Sequence, residues 1–352
     1  METPRSAGRP RVLFVPVSGP EGIGEFVRCR MIARALLAAQ PGVDVRFVVA
    51  RDAPYRDTVP FRCFHTEGSP TRHPGEVDRI LRDFRPWVVV FDGAGRTRNF
   101  VTARRLGARS VWISTYRRRR RKGLRWRRLR ALDAHWIVQP EFVDGGLRPW
   151  ERWKCRLARR PEPVFLGPVL PEPRRPEGLG IPAAGFWLAS AGGGGLRRRG
   201  VNVSSWFAGL AEAVTRRTGL AGIVVMGPNF TGEPPGSAVN RIVPAVSPEA
   251  MVWLRAHARF ALIGGGSSSL LQTAALGTPS VAVALNRDQH RRIARFARAG
   301  LTVAGGPSDA ALVGQCAELP ERLPRAALRR RASRLLDRGG LDGIVDALRR
   351  LL

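Results

Sequence analysis

The chain has 352 residues, 44% of them hydrophobic, which suits two domains with buried cores and excludes a wholly disordered protein. No stretch approaches the roughly 18 consecutive apolar residues of a membrane span, so we expect a soluble or peripheral protein. The formal net charge of +31 is almost all arginine, since only Lys122 and Lys154 are lysines, so it indicates a GC-rich genome as much as a nucleic-acid partner.

Apolar runs alternate with helical patterns through the first half of the chain. A run such as Val12–Val17, apolar throughout, is typical of a parallel strand covered on both faces. Strands are predicted over residues 11–17, 43–49, 87–91, 110–114 and 135–138, and helices over 26–39, 76–84 and 99–106. This alternation predicts an α/β domain over residues 1–160.

Residues 161–182 are rich in Pro, Glu and Gly and are predicted to form an interdomain linker. The alternation then restarts, with strands predicted over 185–190, 222–227, 260–263 and 280–284 and helices over 203–217 and 249–256. Ser247 is the predicted N-cap of the second of these helices, with Pro248 at its first position. A second domain over 183–335 and a helical segment over 336–352 that packs back on the first domain complete the prediction. Two doubly wound domains place the active site in the cleft between them, outside the carboxyl ends of the strands.

Three glycine-rich turns each follow a predicted strand and precede a predicted helix, at residues 22–24, 192–195 and 264–269. The backbone N–H groups and the dipole of a helix that begins at such a turn can hold an anion. One turn alone is weak evidence, because glycine is the usual residue of tight strand-to-helix turns. Two of them in the second half favour a diphosphate ligand.

The strongest motif runs from Gly264 to Pro279 and continues through Asn286-Arg287-Asp288-Gln289. It resembles the donor-binding signature of nucleotide-sugar glycosyltransferases of the GT-B type, in which a Gly/Ser turn contacts the diphosphate, a Glu holds the ribose and an Asp-Gln pair meets the sugar. The resemblance implies an α/β protein of GT-B fold, with two doubly wound Rossmann-like domains facing a central cleft. With the turn at residues 192–195, it implies these donor-binding residues: Gly193, Gly194, Gly266, Ser267, Ser268, Ser269, Gln272, Asp288 and Gln289. Gln272 stands where the ribose Glu is expected, and its amide can hydrogen-bond a hydroxyl without a charge-assisted pair.

A second resemblance lies near the N-terminus. Gly22-x-Gly24 followed by Arg28 and an Ala/Leu-rich helix is similar to the opening of the nucleotide-sugar hydrolases of pseudaminic acid synthesis. These hydrolases are relatives of the peptidoglycan N-acetylglucosaminyltransferase family. The strand that ends at Asp92 also resembles their first-domain strand. The resemblance implies an acceptor-side turn made of Gly22, Gly24 and Arg28.

Those families usually place a catalytic histidine directly after the Gly-x-Gly, where this chain has Glu25. A carboxylate at the end of a glycine turn can act as general base on an acceptor hydroxyl. Asp92, at the carboxyl end of its strand, is the second candidate base. Each has a structural alternative, Glu25 as a negative charge in the first turn of a helix and Asp92 as a turn former.

The densest basic cluster runs from Arg117 to Arg130, with one tryptophan and two leucines interleaved. A basic segment with Trp and Leu can lie on an anionic membrane surface or bind the phosphates of nucleic acid. The candidate contact residues are Arg118, Arg120, Arg125, Trp126 and Arg128. A solvated basic loop and helix is the structural alternative.

The four cysteines, Cys29, Cys63, Cys155 and Cys316, lie far apart without metal-ligand spacing. They predict free thiols in a reducing cytoplasm. The polar start of the chain leads straight into a strand and is not expected to be a secretory signal. We therefore expect a cytoplasmic protein, at most peripheral at the inner face of the membrane.

Together these features favour an inverting, metal-independent glycosyltransferase. The donor is a nucleoside-diphosphate sugar, with uridine suggested by the resemblance, and the acceptor is a hydroxyl that a membrane or lipid can carry. No cofactor or metal is expected, and the sequence contains no Asp-x-Asp. The first alternative is a nucleotide-sugar hydrolase, in which water replaces the acceptor. The second is a non-catalytic membrane- or nucleic-acid-binding scaffold of the same fold, with nucleic acid the less favoured partner.

Overall fold

The computed structural model describes residues 8–17, 23–53, 55–115, 117–198, 200–336 and 340–352. The chain divides into two compact units, the first made of Met1–Leu166 with Leu341–Leu352 and the second of Gly167–Gly340. Over the described ranges, no helix is both long and apolar enough to cross a membrane.

The first unit alternates strands and helices. In chain order its elements are β1 (Arg11–Pro16), α1 (Gly24–Ala39), β2 (Asp44–Ala50), a 3-10 turn (Arg56–Thr58), β3 (Arg62–Thr66), α2 (Pro74–Phe84), β4 (Val88–Asp92), α3 (Thr97–Arg105), β5 (Arg109–Ser114), α4 (Arg117–Gly123), α5 (Trp126–Leu129), β6 (Ala134–Ile137), α6 (Glu141–Asp144), α7 (Pro149–Leu157) and β7 (Val164–Phe165).

The second unit repeats this alternation. Its elements are β8 (Phe186–Ser190), β9 (Arg197–Arg198), β10 (Val201–Asn202), α8 (Val203–Thr218), β11 (Ala221–Val225), β12 (Arg241–Val243), α9 (Pro248–His257), β13 (Ala261–Gly264), α10 (Ser267–Ala275), β14 (Ser280–Val283), α11 (Arg287–Arg298), β15 (Val303–Ala304), α12 (Asp309–Arg322) and α13 (Arg325–Leu336). The last helix, α14 (Gly340–Arg349), belongs to the first unit from Leu341 onward.

The sheet of the first unit is entirely parallel, in the order β3-β2-β1-β4-β5-β6-β7. All five residues of β4 are buried, as the continuous apolar run predicts for a strand covered by helices on both faces. Strand order reverses at β1, which lies between β2 and β4. Ligands of doubly wound folds bind at the carboxyl ends of the strands beside such a reversal.

The second sheet is also parallel, in the order β12-β11-β8-β13-β14-β15, and a separate antiparallel hairpin joins β9 to β10. Here the order reverses at β8, between β11 and β13. The predicted start of α9 is confirmed, because the Ser247 hydroxyl accepts a hydrogen bond from the Ala250 N–H at 3.1 Å and Pro248 is the first helical residue.

Six of the described strands have no counterpart in the sequence prediction, namely the edge strands of the two parallel sheets (β3, β7, β12 and β15) and the hairpin strands β9 and β10. β3 is the edge strand beside β2, and its half-exposed residues give no continuous apolar run. β7 lies inside the predicted linker, where its two residues pair with β6 as the opposite edge of the sheet. Short edge strands leave too few buried positions for a periodic signal.

The basic segment is partly internal, which corrects the predicted surface role of two of its arginines. Arg120 is fully buried and donates hydrogen bonds to Asp144 of α6 and, at 3.2 Å, to Glu151 of α7. Arg128 is buried over the rings of Phe100 and Trp112, and burial lowers its pKa to about 10. Neither guanidinium can reach a membrane or a polyanion.

Three other predicted contact residues have surface positions. Arg118 and Arg125 are exposed, and Trp126 is half-buried.

Replacing Arg120 by Met should therefore destabilise the protein, because Asp144 and Glu151 would keep their negative charges without a partner. The expected loss is about 3–5 kcal/mol in the free energy of unfolding, measured by denaturant titration. Arg121→Met removes the next, exposed side chain of the same helix and should cost less than about 0.5 kcal/mol. Equal losses in the two variants would contradict the assignment of Arg120 to the interior.

Candidate functional site

The carboxyl edge of the second sheet brings two predicted glycine turns together. A Cβ placed on Gly264 would lie 2.6 Å from the carbonyl oxygen of Ala191, and one on Gly194 would lie 2.6 Å from that of Met226. Gly194 also has a φ of +87°, which side chains rarely adopt. The carbonyl of its neighbour Gly193 accepts a hydrogen bond from the Asn229 N–H at 2.8 Å. The turns after β8 and β13 are thus packed backbone against backbone, where the strand order reverses.

The three turns predicted to hold an anion differ in whether a side chain already caps the N-terminus of the following helix or places a negative charge there. α1 carries Glu25 in its first turn, so a carboxylate already faces the positive end of its dipole. The turn at residues 192–195 does not open a helix directly, because the β9–β10 hairpin follows it. Asn202 then caps α8 by accepting from the Ser204 N–H at 2.8 Å.

α10 has neither kind of compensation. Its N-cap is Gly266, which has no side chain to offer, and its first turn contains no acidic residue. Ser267 and Ser268 in that turn are partly exposed, whereas Ser269 is buried. The start of α10 is therefore the best-suited of the three turns for an anion.

Gln272 faces the interior of the second unit, which corrects its predicted contact with a ribose. Its side-chain oxygen accepts a hydrogen bond from Arg255 Nη1, and its Nε2 donates to the Val169 carbonyl at 3.0 Å. Both ends of the amide are in use, and the side chain is buried. Gln272 therefore supports the site from behind.

Arg255, on α9, is the functional candidate that the sequence prediction missed. Its side chain is buried, with Nη2 3.5 Å from the Ser269 hydroxyl in the first turn of α10. Burial alone lowers its pKa to about 10, which leaves it charged at pH 7, and no carboxylate of the described residues forms an ion pair with it. A sequence signal did exist, because Arg255 lies three residues after Val252 on the buried face of α9.

The start of α11 contacts the same turn. Gln289 is buried, and its side-chain oxygen accepts from the Leu285 N–H at 2.9 Å. A Cβ on Gly265 would lie 2.9 Å from that oxygen, so the two residues touch. Arg292 also donates to the Gly265 carbonyl at 2.8 Å, while Asp288 is exposed in the first turn. Gln289 thus supports the turn, and Asp288 is the member of the pair that is open to a ligand.

Asp92 of the first unit is held in a buried ion pair. Arg28 donates from Nε and Nη2 to its two carboxylate oxygens, each at 2.7 Å, and the Cys29 thiol lies 3.7 Å from one of them. Burial raises the pKa of Asp92 to about 6, against the opposing effect of Arg28, so the group is ionised at pH 7. Because Asp92 has no exposed surface and both oxygens are engaged, it does not suit the role of a base on an acceptor.

Glu25 lies near Asp92 and is more accessible. Its side chain is 22% exposed, and Oε1 is 3.5 Å from Nη1 of Arg119. Arg119 in turn covers Gly93, directly after β4. Gly24 is the first residue of α1, whereas Gly22 lies outside the described residues.

The described ranges contain no group of three or more His, Cys, Asp or Glu side chains placed to hold a metal ion.

Replacing Arg28 by Met should destabilise the first unit in a pH-dependent way. Without the guanidinium, Asp92 is a buried carboxyl whose folded pKa lies further above its unfolded value. The stability that the protonated form contributes is lost as the pH rises through that folded pKa. We expect a loss of about 3–5 kcal/mol at pH 7.5 that shrinks towards pH 4.5.

Denaturant unfolding at the two pH values measures this loss. Arg82→Met, an exposed change on α2 of the same unit, is the control and should have little effect at either pH. A penalty for Arg28→Met that does not change with pH would argue against the buried pair.

Several solved structures are similar to this chain over nearly its whole length. The glycosyltransferase SnogD from Streptomyces nogalater has a TM-score of 0.66 at 17% identity, covering 98% of this chain and 100% of its own. The spinosyn rhamnosyltransferase SpnG has a TM-score of 0.65 at 13% identity, covering 96% and 100%. UGT89C1 of Arabidopsis thaliana, complexed with UDP, has a TM-score of 0.63 at 14% identity, covering 97% and 99%.

No protein-family model and no curated protein matches the sequence. At the identities of the solved structures the likeness shows the fold alone, and both parallel sheets agree with it. The chain therefore has the fold of these solved glycosyltransferase structures, the GT-B fold.

Proposed function

We propose that the protein is a glycosyltransferase that moves a sugar from a nucleoside-diphosphate donor to an acceptor hydroxyl. The observation that carries the proposal is the start of α10, which lacks a side-chain cap and has the buried, carboxylate-free Arg255 beside it. A helix N-terminus and an arginine together favour a ligand with a concentrated negative charge. Fold neighbours whose structures contain UDP or thymidine diphosphate support a diphosphate as that ligand.

We assign binding of the sugar donor to the second unit. In the proposal, the backbone N–H groups from Gly266 to Ser269 hold the diphosphate, and Asp288 contacts the sugar. Gln272 and Gln289 keep the turn in place from inside the unit. Uridine is the first candidate for the base, by the resemblance of the sequence and by the UDP complexes of the neighbours.

We assign removal of the acceptor's hydroxyl proton to the first unit. Glu25 takes the proton of the acceptor hydroxyl as its oxygen attacks the anomeric carbon. The bond from that carbon to the β-phosphate oxygen breaks, and the nucleoside diphosphate leaves with the electron pair. A single displacement inverts the anomeric configuration. The start of α10 and Arg255 stabilise the charge of the leaving group without an obligatory metal.

Donor binding is tested by calorimetric titration with UDP, CDP, GDP and dTDP. We expect saturable binding of one of them, with UDP first. Arg255→Met should weaken that binding about tenfold, because a charge beside the diphosphate is lost, and should leave the affinity for uridine unchanged.

Arg259→Met is the matched control, since Arg259 is exposed two residues after α9 ends. Arg255→Met removes a buried charge that has no carboxylate partner, but it also leaves the buried Gln272 side-chain oxygen without its donor, so the free energy of unfolding should fall by no more than about 1–3 kcal/mol. If none of the four nucleotides binds, the donor site does not exist and the scaffold alternative is favoured.

The role of Glu25 is tested by release of UDP from UDP-glucose and UDP-N-acetylglucosamine in the presence of a panel of alcohols and phenols. Glu25→Gln should lower kcat by about 10²–10⁴-fold with the donor affinity unchanged. Glu67→Gln changes an exposed carboxylate of the same unit and should have no effect. UDP release at the same rate without any acceptor would instead favour the nucleotide-sugar hydrolase.

A further inference from the structure

Helix α7 carries three large apolar side chains on the side that faces solvent. Trp150, Trp153 and Leu157 are 39%, 57% and 60% exposed, and spacings of three and four residues place them on one stripe of the helix. The opposite stripe, with Glu151 and Cys155, is buried. Of the seven large apolar side chains with high exposure among the described residues, three lie on this nine-residue helix. Such a concentration marks an interaction surface, unlike single scattered residues.

Contacts with α5 hold the stripe in place. Trp126 meets Trp153 edge-on, with ring centroids 6.4 Å apart and planes at 79°. Lys154 Nζ lies 5.5 Å from the ring centre of Trp126 and 5.2 Å from that of Trp150. The Arg130 guanidinium carbon lies 5.8 Å from the ring centre of Trp126. The tryptophan face is defined as Trp126, Trp150, Trp153 and Leu157.

Cations dominate the exposed charged positions of α5 and α7, which carry the tryptophan face, and of α4, which precedes α5 in the chain. Eight basic side chains are exposed on α7 and on the segment from α4 to just after α5. They are Arg118, Arg121, Lys122, Arg125, Arg127, Arg130, Arg152 and Arg156. Of these, Arg152 has a carboxylate partner, Glu162, at 3.5 Å. The acidic residue that α7 contributes, Glu151, is buried against Arg120, and α4 and α5 contain none. The surroundings of the face therefore complement a negatively charged partner.

We infer that the tryptophan face docks the protein on an anionic lipid bilayer. Indole rings favour the membrane interface, an aliphatic side chain such as Leu157 enters the acyl boundary, and arginines bind headgroup phosphates. Binding of single-stranded nucleic acid uses aromatic rings on which bases stack, and it gives no role to the aliphatic Leu157, which is as exposed as Trp153 on the same stripe. Docking involves no residue of the proposed donor site, so the two proposals fail separately.

The test is co-sedimentation of the full chain with sucrose-loaded phosphatidylcholine vesicles, with and without phosphatidylserine. We expect binding that requires the anionic lipid and weakens as salt is raised. Trp153→Ser combined with Leu157→Ser should lower the partition coefficient at least about tenfold. Arg125→Ser combined with Arg127→Ser should lower it about fivefold per arginine, on anionic vesicles only.

The control variant combines Val201→Ser with Val239→Ser, which removes two comparably exposed apolar side chains from the second unit. It should bind vesicles like the unchanged protein, and circular dichroism should show that all three double variants are folded. Absence of binding to anionic vesicles would overturn the inference, as would an equal loss in the control. Tighter binding to a single-stranded RNA that depends on Trp153 would overturn it in favour of a nucleic-acid surface.

Discussion

Backbone packing at the carboxyl edge of the second sheet is the constraint on which the candidate donor site depends. Gly194, Gly227 and Gly264 each lie so close to a neighbouring turn that a Cβ would come within 2.6 Å of a carbonyl oxygen. Only glycine permits this approach, and the approach fixes where the residues after β13 begin α10. An N-terminus held in this way needs little rearrangement when an anion binds, which is the condition for electrostatic stabilisation to be effective.

Three of the four buried arginines among the described residues offset the cost of a buried charge through different hydrogen-bond partners. The Arg28 guanidinium pairs with one carboxylate and the Arg120 guanidinium with two. The Arg255 guanidinium instead donates hydrogen bonds to an amide oxygen and a hydroxyl. The ion pair of Arg28 and the cluster of Arg120 with two carboxylates connect different helices and strands of the first unit. Arg255 leaves a net positive charge beside the start of α10, which is a cost to folding that a bound anion would offset. Arginine suits all three positions because its planar group offers several donors at once.

The same basic segment serves both the interior and the surface of the first unit. Arg120 and Arg128 turn inward and hold α4 and α5 in place, and this fixes Trp126 against Trp153 on the outside. A run of arginines is therefore not one functional feature. Its buried members order the helices, and its exposed members give those helices their charge.

The sequence by itself determined the inner strands of both parallel sheets, the two glycine turns of the second sheet and the start of α9. These features are local, because a strand buried on both faces is a continuous apolar run and an N-cap lies within one turn of its helix. Tertiary structure alone decided that Asp92 is closed by Arg28, 64 residues away, and that Gln272 is bound to Val169, 103 residues away. It also decided which arginines are buried and that α7 turns a tryptophan stripe to solvent. Such contacts depend on which strands become neighbours in a sheet. The local sequence pattern of a strand does not specify its neighbours.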